Sequence, residues 1–93
     1  ASINQVITIT GQILENTQTF GNLWYVEIEI IGVAFFFFAY TDKLEEEDRN
    51  RLLIHSYVQL QVEICHNDEA GPFEQVLEVL TVQDTPILSG ISI

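Results

Sequence analysis

Few positions in this chain carry side chains able to do covalent or coordination chemistry. Cys65 and His66 are adjacent, and His55 is the second histidine. A thiol beside an imidazole is the raw material of a nucleophile or a zinc site, but neighbouring residues on a strand project to opposite faces. Cys65 and His66 therefore do not share a ligand. One cysteine and two histidines leave no zinc-like spacing and no second cluster to complete a site. Asp68 and Glu69 follow in the turn-rich stretch Asn67 to Pro72, where a solvated turn fits better than an acid-base pair. Cys65 itself is expected as a solvated thiol near a strand end.

The densest carboxylate cluster is Glu45, Glu46, Glu47 and Asp48. Consecutive helical residues point in different directions around the axis, so these groups do not converge on one substrate atom. General acid catalysis would need burial or a close partner to raise a carboxyl pKa, and the sequence shows neither. A glycine-rich phosphate loop and a nucleophile elbow are both missing, and no serine or cysteine relay stands near the histidines. The expectation is a protein that is not an enzyme and uses no metal or cofactor. The cluster reads as a solvated helix face or a docking surface for a basic protein.

Charge narrows the partner classes. Fourteen acidic residues oppose three basic ones, for a formal net charge of -11. Affinity for nucleic-acid backbones comes largely from Lys and Arg displacing counterions, and only Lys43, Arg49 and Arg51 are present. Nucleic acid is a disfavoured partner. The negative surface keeps an apolar, sheet-rich chain soluble, or it meets a basic partner.

The elements that must position these residues follow from period and punctuation. Ile7, Ile9, Gly11 and Ile13 alternate with Val6, Thr8, Thr10 and Gln12, which predicts a first strand over 6–13, with Gly11 marking a bend or bulge. The polar stretch Glu15 to Asn22 reads as a loop. Trp24, Val26, Ile28 and Ile30 alternate with Tyr25, Glu27 and Glu29 in a second strand with one buried and one wet face. Gly32 permits a reversal into a third strand, Val33 to Tyr40, whose register stays open because both faces are apolar. Asp42 and Glu45 resemble a capping box, Arg49 and Arg51 suit the far end of the dipole, and Leu44, Leu52 and Leu53 make an apolar side. A helix is predicted over 42–53. Val58, Leu60, Val62 and Ile64 then alternate in a fourth strand, opposite Gln59, Gln61, Glu63 and Cys65. A fifth runs from Phe73 to Gln83, its alternation slipping near Val76 and Leu77.

The order of three strands, a helix and two strands resembles the oligonucleotide/oligosaccharide-binding barrel, the OB-fold. Gly11 in the first strand, the turn at Gly32 and the stretch Leu52 to Leu60 carry the resemblance, with His55 standing where the family commonly has glycine. An SH3-like or other small mixed barrel is the competing architecture. The resemblance implies a mainly β, five-stranded OB-like barrel with one short helix between strands 3 and 4, spanning 1–86. The apolar stretch 87–93 would pack on the domain or on a partner.

The resemblance also directs attention to Tyr25 and to one alternating set among Phe35 to Phe38, where OB domains stack bases. Glu27 and Glu29 on the same outward face would repel phosphates. Large aromatics on a sheet face form the kind of apolar patch that marks association. The expected function is therefore a non-catalytic protein-interaction module or accessory subunit, binding a protein partner or forming a homo-oligomer. Its expected contact residues are Tyr25, Phe36 and Phe38 on the sheet, with Glu45, Glu46, Glu47 and Asp48 on the helix. Weak single-strand nucleic-acid binding, or acidic mimicry of nucleic acid, is the alternative. No membrane span and no targeting segment are expected, and the single cysteine suits a cytoplasmic location.

Overall fold

In a computed structural model that describes residues 4–30, 35–67 and 71–87, apolar alternation has become the inner wall of a closed sheet. The elements are β1 (Gln5–Gln18), β2 (Trp24–Ile30), β3 (Phe35–Tyr40), α1 (Glu46–Asn50), β4 (Tyr57–Asn67) and β5 (Gly71–Gln83). The strands close in the order β1-β2-β3-β5-β4, and the helix lies between β3 and β4 in sequence. Ile9, Ile13, Val26, Ile28, Ala39, Val58, Leu60, Val62 and Val76 fill the interior, joined by Leu44 and Leu52 from the segments flanking α1. Among the described residues no helix is long and apolar enough to cross a membrane.

Strand β1 is longer than its alternation suggests, because it serves two neighbours in succession. Residues Gln5 to Gln12 pair antiparallel with β4, and Gly11 to Gln18 pair antiparallel with β2. The stretch from Glu15 to Gln18, polar and therefore expected as loop, is strand whose polarity suits a solvent-facing extension. The predicted irregularity falls at Leu14, which is passed over between the pairs Ile13↔Ile28 and Glu15↔Glu27. Gly11 has a different task. A Cβ there would run into Ile28 Cγ2 and stand 2.6 Å from the Glu29 carbonyl oxygen, so only glycine lets β2 approach this closely.

The slip foreseen in β5 is a pair of bulges. Leu77 and Leu80 are passed over in the ladder to β4, so that Val76, Val79 and Val82 stand opposite Val62, Leu60 and Val58. Inward residues thus recur every third position, which a period of two does not detect. The helix also departs from its predicted span, 42–53. Asp42 does not cap it; its Oδ1 accepts a hydrogen bond from the Trp24 amide at 3.1 Å. Glu45 is the N-cap, without a side-chain cap bond, and α1 is one and a half turns long. Leu44 and Leu52 are buried as expected, whereas Leu53 is 65% exposed because the chain has left the helix before it.

Asn16 fastens this connection. Its Nδ2 donates to the carbonyls of Arg49 and Leu52, each at 3.0 Å. Beyond, the chain returns to β1 through a reciprocal pair: the His55 amide donates to the Ile13 carbonyl at 2.6 Å, and the Ile13 amide to the Ser56 carbonyl at 2.9 Å. His55 holds this turn at φ 75, in the left-handed region that favours glycine. The reversal at Gly32, the stretch 88–93 and the carboxylates of Asp68 and Glu69 lie outside the described residues.

Two substitutions separate close approach from backbone conformation. Gly11→Ala is expected to destabilise the fold by roughly 2–3 kcal/mol, since β2 must shift to admit a methyl group. His55→Gly keeps both backbone bonds to Ile13 and is expected to stabilise by about 1 kcal/mol. Urea unfolding of the two variants against the parent, with opposite movements of the midpoint, checks both.

Candidate functional site

The outward residues of β2 and β3 compose a face that the sequence left in two possible registers. Pairing of Tyr25 with Tyr40, Glu27 with Phe38 and Glu29 with Phe36 puts these six side chains on the outside, while Phe37 lies opposite Ile28 and packs toward the core. Phe36 and Phe38 are 52% and 54% exposed, and Tyr25 is half-buried. The rings of Tyr25 and Phe38 meet at 6.4 Å between centroids, tilted by 42°. Three expected contact residues, Tyr25, Phe36 and Phe38, are therefore neighbours on one surface.

This surface runs into a groove of about 720 Å³. Tyr25, Phe38, Ala39 and Tyr40 line it from the sheet, Gln18, Thr19 and Phe20 from the end of β1 and its following loop, and Phe73 and Glu74 from β5. The Tyr40 and Phe73 rings stand edge to face, 6.3 Å apart. The loop wall is well tied. Thr19 Oγ1 accepts from the amides of Gly21 and Leu23, each at 3.2 Å, and Gln18 Nε2 donates to the Asn22 carbonyl at 3.0 Å. Asn22, at φ 64, completes the turn, and Phe20 projects fully into solvent. The far wall stands beside the one pair that joins β3 to β5, Tyr40↔Gln75.

Tyr40, Phe73 and Phe20 are the residues that sequence reasoning missed. Tyr40 shares its parity with Phe36 and Phe38, so that signal was available once a register was chosen. Phe73 depends on how β5 meets β3, a pairing across more than thirty residues that no local pattern encodes. Phe20 sits in a turn, outside any periodicity.

No lysine or arginine side chain reaches this face. Arg49 lies over the Trp24 ring at 4.7 Å. Lys43 pairs with Glu63 at 3.4 Å, and Arg51 with Asp48 at 3.5 Å. These are all the Lys and Arg residues of the chain. Negative charge does reach it, since Glu27 stands directly opposite Glu15 across the β1–β2 ladder and Glu74 lines the groove. The helix carboxylates are elsewhere. Glu45, Glu46 and Glu47 are exposed and Asp48 half-buried, but none of the four lines the groove. The expected contact residues thus divide into an aromatic set and a separate acidic set.

Cys65, expected from the sequence to be solvated, is buried, at 8% exposure. Its Sγ donates to Glu63 Oε1 at 3.2 Å, the oxygen that also meets Lys43. Burial, then the hydrogen bond to Glu63, push the thiol pKa up. The same hydrogen bond, assisted by Lys43, holds the Glu63 carboxyl below its ordinary value. Such a thiol is a poor nucleophile. Among the described residues no group of three or more His, Cys, Asp or Glu side chains is placed to hold a metal ion. No family model, characterised protein or solved structure matches this chain.

The signs of the two shifts make a test. Glu63 favours the folded state above the ordinary carboxyl pKa, and that contribution is lost as pH falls through its lowered folded value. Cys65 favours it below the ordinary thiol pKa and loses its contribution as pH rises through the raised one. Accordingly, a thiol-specific reagent at pH 8 is expected to label the folded protein at least about tenfold more slowly than the urea-unfolded chain. In a Cys65→Ala variant, NMR titration should show the Glu63 carboxyl moving back toward the ordinary range.

Proposed function

We propose that this chain is a non-catalytic interaction module, an accessory subunit or adaptor of OB-like architecture, that binds another protein through the aromatic face of β2 and β3. The observation that carries the reading is the alignment of Tyr25, Phe36 and Phe38 on one outward surface, with both phenylalanines more than half exposed. Aromatic side chains bring large contact area at low entropic cost, and an outward cluster of them marks association surfaces. The strand order and the position of the helix agree with the OB-like resemblance, in which the face of strands 2 and 3 and the loops beside it are the usual binding surface. Architecture alone assigns no ligand.

Nucleic acid fits the same rings less well. Stacking platforms for single strands work beside cations that follow the phosphates, and here the three cations are engaged elsewhere while Glu27 and Glu29 flank the rings. Cytoplasmic location belongs to the same reading and rests on a lone cysteine with no partner for an internal disulfide.

Outward side chains can be changed without emptying the core, so the test is direct. Tyr25→Ser combined with Phe38→Ser is expected to leave the circular dichroism spectrum and urea midpoint nearly unchanged. Light scattering is expected to find a one-to-one complex between the parent chain and a purified protein recovered on it from native cells, and the double variant should abolish it. Retention of that complex by the folded double variant would sink the reading. Quenching of tyrosine fluorescence by oligothymidylate at low salt would favour the nucleic-acid reading in its place.

A further inference from the structure

Resting on that reading, the geometry points to a partner of defined chemistry: an extended, positively charged segment, added as a strand along the unpaired edge of β3 beside the groove. Three features of the face converge on this occupant.

The first is the backbone. Strand β3 is paired along its length with β2, but on its other side the ladder consists of Tyr40↔Gln75 alone. From Phe35 to Ala39 that edge has no strand partner among the described residues. Unpaired edge amides and carbonyls are a template for another chain, and peptides dock on such edges by main-chain hydrogen bonds. The five unpaired residues of β3 offer a length of about 17 Å, enough for a four- or five-residue segment. The groove adjoins this edge at its Tyr40 end, where Phe38 and Ala39 line it opposite Phe73.

Charge supplies the second. Glu15 and Glu27 are directly opposed on the outer face, where like charges cost stability. Glu29 lies beside Phe36, and Glu74 lines the groove. Lys43, Arg49 and Arg51 are engaged elsewhere, so no lysine or arginine neutralises these carboxylates. A second copy of this chain is a poor occupant, because it would bring another formal charge of -11 and the same glutamates to the contact. A cationic segment removes the conflict.

Reach is the third. Strands lie about 4.8 Å apart, so an added strand beside β3 stands roughly 10 Å from β2. A lysine or arginine on its outer side would cross the exposed ring of Phe36 or Phe38, a favourable path for a cation, and arrive at Glu29 or Glu27. Residues on its inner side would meet the edge of the core near Phe37 and Ala39, which calls for apolar side chains. The matching sequence is an alternation of basic and β-branched residues.

Fluorescein-labelled eight-residue peptides provide the probes: arginine alternating with valine, glutamate alternating with valine, and the arginine peptide N-methylated at every second amide. Polarisation titrations at low salt are expected to show saturable binding of the arginine peptide to the parent chain. Binding should be about tenfold weaker to Glu27→Gln/Glu29→Gln and should fall further on adding salt. At least one alternating N-methylation frame should lose binding, because it blocks the amides that pair with β3. Equal binding of the glutamate peptide overturns the charge assignment, and full binding of both N-methylated frames overturns strand addition. If the arginine peptide fails to bind while the purified protein complex still depends on Tyr25 and Phe38, this inference falls and the interaction module stands. Loss of that dependence removes both.

Discussion

The barrel depends on the close approach of β1 and β2 where the two ladders of β1 overlap. At Gly11 and Gln12, β1 is paired simultaneously with β2 and β4, and the backbone of β2 approaches so closely that a methyl group cannot be accommodated. With β1 linking β2 and β4, the pair Tyr40↔Gln75 between β3 and β5 closes the five strands into a barrel. Glycine is required here for lack of volume, not for an unusual φ. The bulges follow from the same demand. Leu14 in β1, and Leu77 and Leu80 in β5, are surplus residues that let long strands bend around a core of isoleucine, valine and leucine.

Helix α1 is subordinate to this closure. Its five residues are too few to persist alone. What holds it is tertiary: Asn16 on two carbonyls of the connection, Trp24 beneath the Arg49 guanidinium, and Leu44 and Leu52 sunk into the barrel from either side. The carboxylates of the first turn face water because the apolar anchors lie outside the helix proper. Its acidity and its attachment are therefore independent, and the surface charge can vary without loosening the plug.

Much of the architecture was legible because it is written in period two. Val26 and Ile28, or Val58, Leu60 and Val62, alternate with polar residues and are all fully buried. The turn before β4 was also readable, and His55 there holds a positive φ, whereas Gly11, read as a bend, serves the close approach of β2 instead. Three things escaped. The polar half of β1 looked like a loop, since the residue opposite buried Val26 is the polar Asn16 and no apolar alternation results. The valines of β5 recur every third residue. The helix was overextended because carboxylates and leucines near it satisfied the pattern while serving a turn and the core. At the groove, Tyr25, Phe36 and Phe38 were readable by parity with Glu27 and Glu29, whereas Phe73 belongs to the site only through a long-range contact.

The one-pair junction between β3 and β5 has a consequence for how the molecule breathes. Every other neighbour in the barrel is held by at least six backbone partners, so thermal opening concentrates on this line. Strands β2 and β3 would swing as a hairpin, with the β1–β2 ladder as hinge. In free-energy terms, the excursion loses little pairing and uncovers Phe37 and Ala39, side chains that otherwise belong to the core. The barrel is thus expected to open and reform locally, at a lower free energy than global unfolding.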